Sequence, residues 1–413
     1  MRQRVPLLRD LPVEVGVLAS IAFFVALGFG IVIPSIPIFA ESFGVSALAA
    51  SAVVSAFALM RFVSSPFAGS LVNRLGERRV LASGLIIVAA SSFLAGLSQT
   101  YAQLIVLRAA GGVGSAMFTV SALALLLRTV EARQRGRASA AWQGGFLFGG
   151  VAGPAIGGLV LAWSIRAPFF FYAGTLTIAT FVALYFLHPK RIARLEEQVE
   201  EQETPGEPNV TGWPELKTAL RSGAYRAALG VNLMTGLATF GLRSALVPLF
   251  VIEGLHAGPG LSGAAFLVAA GAQAVLLLPA GRITDTRGRK PAMLIGTLAT
   301  LLGLIGLVID DQLTSSTVFF VAMAILGIGT AFLGSAPSAV VGDVMGGRKG
   351  GIVIATYQMV SDLGAVVGPL LGGLLLDLYG FDWAFAAGAA VSVIALVLVV
   401  LMPETLRKVP ATA

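Results

Sequence analysis

The sequence predicts an all-α membrane protein with twelve transmembrane helices in two pseudo-symmetric six-helix bundles. Three observations predict this fold: a low charge content, long apolar runs at regular intervals and an internal repeat. Only 12% of the 413 residues are charged, whereas 56% are hydrophobic and a further 50 are glycine. Soluble domains are about 25% charged, because a globule needs a polar surface. The composition therefore excludes a water-soluble enzyme, a nucleic-acid-binding protein and a disordered scaffold.

Twelve apolar runs have the length of a membrane-spanning helix, which needs about 20 residues to cross about 30 Å of hydrocarbon. The runs lack the period-two alternation of a transmembrane β-barrel. Each run is therefore predicted to form one spanning helix. The runs cover residues 13–39, 46–70, 79–98, 102–127, 138–163, 167–187, 225–251, 261–281, 291–309, 315–341, 351–378 and 383–402.

Lysine and arginine are concentrated near the two chain ends and in the loops that follow the even-numbered runs. On the other side of the predicted membrane the loops contain a single cation, Arg166. By the positive-inside rule, this bias predicts that both termini are cytoplasmic. We expect an integral, multi-pass protein of the bacterial inner (cytoplasmic) membrane, whose net charge of +7 reflects topology.

One long polar stretch, residues 188–224, separates the sixth run from the seventh. It contains an acidic segment followed by Thr204-Pro205-Gly206, a composition typical of a flexible linker. Residues 214–221 have the pattern of a short helix at the membrane surface. The predicted organisation is an N-terminal six-helix bundle at 1–187, a cytoplasmic linker at 188–224 and a C-terminal six-helix bundle at 225–413.

The two halves of the chain are related by an internal repeat. Gly69 recurs as Gly281, and Gly153-Pro154 recurs as Gly368-Pro369, at offsets of 212 and 215 residues. A near-constant offset over half the chain indicates two copies of one structural unit. Two parallel repeats with an axis along the membrane normal are typical of an alternating-access transporter, with the substrate site between the halves.

The loops after the second and eighth runs resemble the signature G-x-L-x-D-R-x-G-R-[KR] of the major facilitator superfamily. Their glycines permit a tight turn, and their charged side chains can pair with each other and with helix ends. The resemblance implies conformational gating by these loops. Asn73 stands where the family usually has aspartate, so the charge pair of that aspartate is expected only at Asp285. The gating residues are Gly69, Asn73, Arg74 and Gly76, and Gly281, Asp285, Arg287, Gly288 and Arg289.

The fifth run contains Gly149, Gly153, Pro154, Gly157 and Gly158 in the pattern G-x-x-x-G-P-x-x-G-G. Such a pattern gives a glycine face for close helix approach and a proline that bends the helix. It resembles the antiporter motif of the twelve-helix drug:proton antiporter family, which implies export. The eleventh run repeats the pattern, so packing is the competing interpretation.

Two residues are candidates for proton coupling. Arg108 begins a segment that resembles the R-x-x-x-G-x-G motif, whose arginine handles protons in proton-coupled relatives. Asp362 is the acid that lies deepest in an apolar run, about 15 Å from the predicted cytoplasmic end. The alternatives are that Arg108 only pins its helix and that Asp362 forms a fixed pair with an arginine. There is no nucleotide-binding loop and no cysteine, so we expect a proton gradient as energy source and no cofactor or metal.

A substrate cavity is predicted from polar residues inside the apolar runs. Arg61 and Gln273 each lie eight residues before a signature glycine, and a polar side chain facing lipid would be costly. For the apolar candidates, packing within a bundle or against lipid is the competing interpretation. The cavity candidates are Arg61, Gln143, Asn232, Arg243, Gln273, Tyr357 and Gln358, with an apolar wall of Met117, Trp142, Phe146 and Phe240.

Two functions remain open at this point. The first is proton-coupled efflux of small amphiphilic compounds, of the multidrug type, by alternating access. The second is a major facilitator carrier for a specific metabolite such as a sugar, amino acid or organic anion. The fifth-run motif favours the first, whereas three deep arginines and the lack of an acid between Val15 and Phe39 favour the second. An enzyme is not expected. The expected partners are a small-molecule substrate, protons and membrane lipid, with no nucleic acid, and the protein is expected to be a monomer.

Overall fold

The structure is a computed structural model that describes residues 11–130, 134–189, 191–192, 194–195, 213–345 and 351–406. Every regular element in these ranges is a helix, and twelve helices are long and apolar enough to span a membrane, as predicted. They are α1 Val13–Glu41, α2 Ala47–Leu75, α3 Glu77–Leu97, α4 Tyr101–Leu126, α5 Arg137–Trp163, α6 Ala167–Phe186, α7 Gly223–Gly254, α8 Gly260–Thr286, α9 Arg289–Leu313, α10 Ser316–Met345, α11 Ile352–Tyr379 and α12 Phe381–Leu401.

Three of these spans depart from a regular α-helix in ways that the sequence did not predict. α1 consists of Val13–Val32 and Ser35–Glu41, separated at Pro34, which has no N–H to donate. α10 is interrupted after Leu333 and resumes at Ala336. α7 contains π-helical turns, the longer of which is Gly236–Leu242. Such turns are rare and are often found at functional sites.

The packing of Cα atoms divides the chain into two compact units. Unit 1 holds most of α1–α6, and unit 2 holds most of α7–α12. Within unit 2, the Asp377 carboxylate accepts the backbone N–H groups of Ala47 and Leu48 at 2.9 Å. Residues 196–212 of the predicted linker lie outside the described residues, so the predicted domain boundaries stay a prediction. Unit 1 comprises Met1–Val45, Ala52–Glu207 and Gly258–Ala264, and unit 2 comprises Ser46–Ser51, Pro208–Ala257 and Ala265–Ala413.

The described part of the linker includes a short amphipathic helix, Trp213–Arg221. Leu216 and Ala219 are buried in unit 2, whereas Trp213 is 78% exposed. An amphipathic helix with an exposed aromatic residue and basic residues is typical of the membrane surface. The helix that the sequence predicts at residues 214–221 is therefore present.

Candidate functional site

A buried arginine stands over an aromatic cluster inside unit 1. Arg108 of α4 is 2% exposed, and its guanidinium carbon lies 4.5 Å from the ring centroid of Phe57 of α2. The ring of Phe57 stacks on Phe29 of α1 at 6.0 Å, and Phe29 lies 6.2 Å from Tyr172 of α6. We call Phe29, Phe57, Arg108 and Tyr172 the arginine cage. Ring faces stabilise a desolvated cation, which explains how the charge of Arg108 is tolerated there.

The glycines that follow Arg108 let α2 approach α4 closely enough to build this cage. A Cβ atom on Gly112 would overlap the backbone carbonyl of Phe57, and one on Gly111 would lie 2.9 Å from Oγ of Ser91. Without a side chain at these positions, the backbones of α2 and α4 can touch. The motif that begins at Arg108 therefore has a direct structural purpose in placing the ring of Phe57 beside the guanidinium.

The arginine cage contains no carboxylate. By sequence, unit 1 has no acid within the interior of α2–α6, and Glu14, Glu41 and Glu77 lie at helix ends. Two of these are paired, since Glu14 lies 2.9 Å from Arg191 and Glu77 lies 2.8 Å from Arg128. Nε and Nη1 of Arg108 have no hydrogen-bond partner among the described residues. The cage thus holds a fixed positive charge with two unused donors.

The other cavity candidates of unit 1 fall into two groups. Arg61 is half-buried and lies within electrostatic range of Tyr172, so the structure brings it towards the arginine cage. Trp142 is only 6% exposed and packs against Phe118 and Phe146, with ring centroids 5.8 and 5.2 Å away. Met117 is also buried in unit 1, whereas Gln143 is exposed. Trp142 and Met117 therefore take part in packing within unit 1.

In unit 2, the candidates on α7 and α11 lie on two helices in close contact. Nδ2 of the buried Asn232 donates to the backbone carbonyl of Tyr357 at 2.6 Å. A Cβ atom on Gly236, where the π-helical turn of α7 begins, would overlap the carbonyl of Ser361. Asp362, the next residue, is half-buried on α11. The proton-coupling candidate of unit 2 therefore lies where α11 packs closely on the irregular part of α7.

The remaining candidates of unit 2 are less tightly held. The guanidinium carbon of Arg243 lies 5.7 Å from the ring centroid of Phe266 on α8, and its Nε has no hydrogen-bond partner among the described residues. Gln273 is half-buried, and Phe240 and Gln358 are exposed. Arg243 thus repeats, in looser form, the contact between Arg108 and an aromatic ring.

Sequence reasoning missed a buried carboxylate inside a spanning helix, Asp310. It lies near the carboxyl end of α9, is fully buried, and accepts the backbone N–H of Ser315 at 3.0 Å through Oδ1. The ninth apolar run ends at residue 309, so Asp310 falls just outside the predicted helix. The helix extends to Leu313 and includes it.

The helix that follows each gating loop begins with a residue that makes an equivalent ion pair in the two units, with the charges exchanged. In unit 1 Glu77 pairs with Arg128, and in unit 2 Arg289 pairs with Asp343 at 2.9 Å. The offsets between equivalent positions are 212 and 215 residues, as in the sequence repeat. The sequence repeat could have revealed this pair. It relates the acid Glu77 to the base Arg289, and the base Arg128 to the acid Asp343. The predicted Asp285 pairs with Arg289 at 3.5 Å.

Of the signature glycines, Gly69 and Gly281 lie within α2 and α8, so the turns form later in each loop, at Gly76 and Gly288. Gly76 and Gly288 each have a positive φ, of 82° and 123°, which favours glycine. Asn73 and Arg74 are exposed at the end of α2. The tight turns predicted after α2 and α8 are therefore present, and each ends where a new helix begins.

A carboxylate beyond α12 caps the amino end of α9. Glu404 accepts the backbone N–H groups of Arg289 and Lys290 at 2.9 and 3.0 Å. Burial by itself raises the pKa of Glu404, but backbone N–H groups of Leu406, Arg289, Lys290 and Thr405 donate to the carboxylate and hold its pKa below the ordinary value. The cap joins the chain after α12 to the second gating loop.

We expect Glu404→Gln to lower the thermal stability of the protein at neutral pH but not in acid. Because the folded pKa is depressed, the stabilisation by Glu404 is complete above the ordinary glutamate pKa of about 4.3 and is lost as the pH falls through the folded value. Melting temperatures between pH 3 and pH 7 check this, with Glu253→Gln as an exposed control. A difference in melting temperature between variant and wild type that does not change with pH would contradict a role for the charge of Glu404.

The antiporter-type motif forms a seam between α1 and α5. Gly145, Gly149, Gly153 and Gly157 are spaced by four residues, and a Cβ atom on any of them would come within 3.0 Å of the α1 backbone. The carbonyls that each would meet belong to residues 19, 23, 27 and 31, also spaced by four. The equivalent glycines of α11, Gly364 and Gly368, meet α7 in the same way. The motif therefore allows backbone contact between α1 and α5 and, in its repeat, between α7 and α11.

Replacing Gly149 with valine is expected to destabilise the protein strongly, because the new side chain would meet the carbonyl of Phe23. Overpacking of this kind costs about 1–3 kcal/mol. Its neighbour Gly150 is the matched control, since a Cβ atom there meets nothing within 4 Å. Folded yield and melting temperature in detergent should fall for Gly149→Val and stay near wild type for Gly150→Val. Equal effects at both positions would show that the seam does not depend on glycine.

Comparison with known proteins agrees with this architecture. The sequence model of the Major Facilitator Superfamily matches residues 18–242 and again residues 228–413. Multidrug resistance protein 2 of Bacillus subtilis (strain 168) is 25% identical over 366 residues, which cover 88% of each protein. Multidrug resistance protein 1 of the same organism is 28% identical over 400 residues, covering 91% of this chain and 95% of that protein. Quinolone resistance protein NorA of Staphylococcus aureus is 32% identical over 175 residues, covering 41% and 44%.

A solved structure has a similar fold. It is that of a bacterial homolog to the human lysosomal transporter Spinster, with a TM-score of 0.68, 15% sequence identity and coverage of 94% of both chains. At this identity the similarity shows the fold alone. Together with the family match, it confirms the predicted all-helical fold with twelve spanning helices.

Proposed function

Because the chain belongs to the Major Facilitator Superfamily, and is thus an integral, multi-pass membrane transporter rather than an enzyme, we propose that it exports small amphiphilic compounds in exchange for protons. In this proposal it acts by alternating access as a monomer in the bacterial inner membrane, with both termini in the cytoplasm. The proton gradient is its energy source, and it uses no cofactor. The substrate is a small molecule, as for other transporters of this family.

The observation that carries export is the glycine seam between α1 and α5. It is built by the segment Gly149–Gly158 that resembles the antiporter motif of drug:proton exporters, and three of its glycines, Gly149, Gly153 and Gly157, meet the α1 backbone. The relatives support the same direction, since two proteins named for multidrug resistance match about nine-tenths of the chain. Amphiphilic substrates also suit aromatic surroundings such as the half-buried Phe146 and the exposed Phe240.

Proton coupling needs a group that is charged in one state and neutral in another. Asp362 is half-buried inside α11 and lies next to Ser361, where α11 packs closely on the irregular part of α7. We assign it the exchangeable proton. Arg108 supplies a fixed positive charge inside unit 1, and its unused Nε and Nη1 donors are available to a substrate or to water that carries the proton. In this scheme proton uptake neutralises Asp362 and substrate release accompanies it.

A carrier for organic anions is the second candidate. It is favoured by one observation, the unused guanidinium nitrogens of Arg108 and Arg243. Buried donors that lack a partner in the protein can be satisfied by a carboxylate or phosphate of a ligand. Such a carrier would bind one anion with specificity, whereas the exporter would accept many uncharged amphiphiles.

Efflux from energised cells distinguishes the two candidates. Cells that express the protein are loaded with Nile red, a neutral amphiphilic dye, and are then given glucose with or without an uncoupler. The exporter is expected to lower the dye content, and the uncoupler should stop this loss. If radiolabelled benzoate crosses the membrane through the protein but Nile red does not, the chain is an organic-anion carrier instead.

A further inference from the structure

A groove of about 660 Å³ runs along an exposed face of unit 1 between α3 and α6. Its floor consists of small residues such as Ala90 and Gly174, and its rims carry larger side chains such as Phe93 and Phe181. Phe93 and Phe181 are both exposed on this face. A Cβ atom on Gly174 would meet nothing within 4 Å, so the space above this glycine is open. The groove belongs to neither the arginine cage nor the glycine seam.

The dimensions of the groove suit a single hydrocarbon chain. The residues of α6 that line it extend from Phe170 to Leu184, which corresponds to about 21 Å along the helix axis. One leaflet contributes about half of the 30 Å hydrocarbon core. The groove is therefore long enough to hold one acyl chain of a phospholipid along its length, and its lining is almost entirely apolar.

The end of the groove at Leu184 is basic. Nη2 of Arg78 donates to the carbonyl of Leu184 at 2.6 Å, and Nε of Arg78 is buried without a hydrogen-bond partner among the described residues. Arg79, the next residue in the chain, is exposed at the same end of α3. Tyr185 is exposed at the same end and stacks on Phe181 at 5.9 Å, as expected for an aromatic ring at headgroup level. A phosphate at this end would meet guanidinium groups, which bind it well.

We propose that this groove binds one acyl chain of an anionic phospholipid, with the phosphate held at Arg78 and Arg79. The apolar groove holds the chain, and the two arginines select an anionic headgroup. The same lipid contacts both α3 and α6 and fills the groove that separates them on this face. This site is independent of the transported substrate and of proton coupling.

Native mass spectrometry of the purified protein tests the site directly. The protein is titrated with phosphatidylglycerol or phosphatidylcholine of identical chains. Wild type is expected to retain one phosphatidylglycerol with about thirtyfold preference over phosphatidylcholine, since two basic residues at about 1 kcal/mol each favour the anionic lipid by about 2 kcal/mol. Arg79→Gln should reduce this preference without removing chain binding. Equal retention of both lipids by wild type would overturn the headgroup assignment.

Filling the groove tests the acyl-chain site. Gly174→Phe should remove the retained lipid, whereas Ile178→Phe, on the same helix but outside the groove lining, should retain it. If Gly174→Phe does not fold, Ala90→Phe fills the groove from α3 and serves in its place. Unchanged lipid retention in a folded groove-filling variant would overturn the proposal. So would equal binding of glycerol phosphate, which has a headgroup charge but no chain.

Discussion

Asp362→Asn is expected to abolish transport driven by a proton gradient while leaving substrate exchange intact. Asparagine has nearly the same shape as aspartate but cannot release a proton, so the variant is held in the state of the protonated carboxyl. Exchange of labelled for unlabelled substrate needs no net proton transfer and should continue. Gradient-driven uptake into proteoliposomes should fall to the level of empty liposomes.

Loss of gradient-driven transport with retention of substrate exchange distinguishes a proton site at Asp362 from a fixed ion pair. If Asp362 only forms a structural pair with an arginine, its loss leaves an unpaired charge, and both gradient-driven transport and exchange should fail together. Asp310→Asn is the matched control, because Asp310 is also buried and its carboxylate accepts the N–H of Ser315. Asparagine can still accept that hydrogen bond, so coupling should persist in Asp310→Asn. Loss of coupling there, with coupling retained in Asp362→Asn, would move the proton site to α9.

Arg108→Leu is expected to lower transport about tenfold or more without lowering thermal stability. The charge of Arg108 is buried and has no carboxylate partner within unit 1, and a buried charge without such a partner is costly to desolvate, so an apolar side chain there removes that cost. The cation–π contact with Phe57 that is lost is worth about 2 kcal/mol when desolvated, which partly offsets the gain. Transport falls because the fixed positive charge beside Phe29, Phe57 and Tyr172 is gone. Initial rates in proteoliposomes and melting temperatures in detergent check both parts.

The control for Arg108 is another arginine over an aromatic ring. Arg166 lies at the start of α6, outside the interior of unit 1. Its guanidinium carbon is 5.2 Å from the ring centroid of Phe39. Arg166→Leu should keep most of the transport rate. If Arg108→Leu lowers stability in parallel with transport, then Arg108 only pins α4 to its neighbours. Full transport by Arg108→Leu would exclude any role in coupling.

The spanning helices could be predicted from the sequence because each must supply enough apolar length to cross the bilayer. The turns at Gly76 and Gly288 could also be predicted, since a positive φ favours glycine. The π-helical turns of α7 and the break at Pro34 could not be predicted as such. The π-helical turns depend on contacts with neighbouring helices, such as the approach of Gly236 to Ser361, that no local pattern reveals. Pro34 is a local cause, but a proline does not always end a helix, since Pro66 lies inside the unbroken α2.

The site was predictable in its charges but not in their surroundings. Arg108 stands out because an arginine in an apolar run is costly. Its ring partners Phe29, Phe57 and Tyr172 do not stand out in the sequence. The chain has 25 phenylalanines, and no spacing distinguishes Phe29 and Phe57 from the others. Trp142 was a cavity candidate by sequence, but it packs inside unit 1. A tryptophan in an apolar run gives no sign of whether its ring lines a cavity or packs against other helices.

Proton movement measured together with substrate movement tests the proposed exchange most directly. Proteoliposomes that contain the protein and a trapped pH indicator are given a neutral amphiphilic substrate on one side. We predict that substrate flux moves protons in the opposite direction, that an imposed pH gradient drives substrate against its own gradient, and that Asp362→Asn removes both effects. Substrate flux that is unaffected by the pH gradient and moves no protons would contradict proton-coupled export.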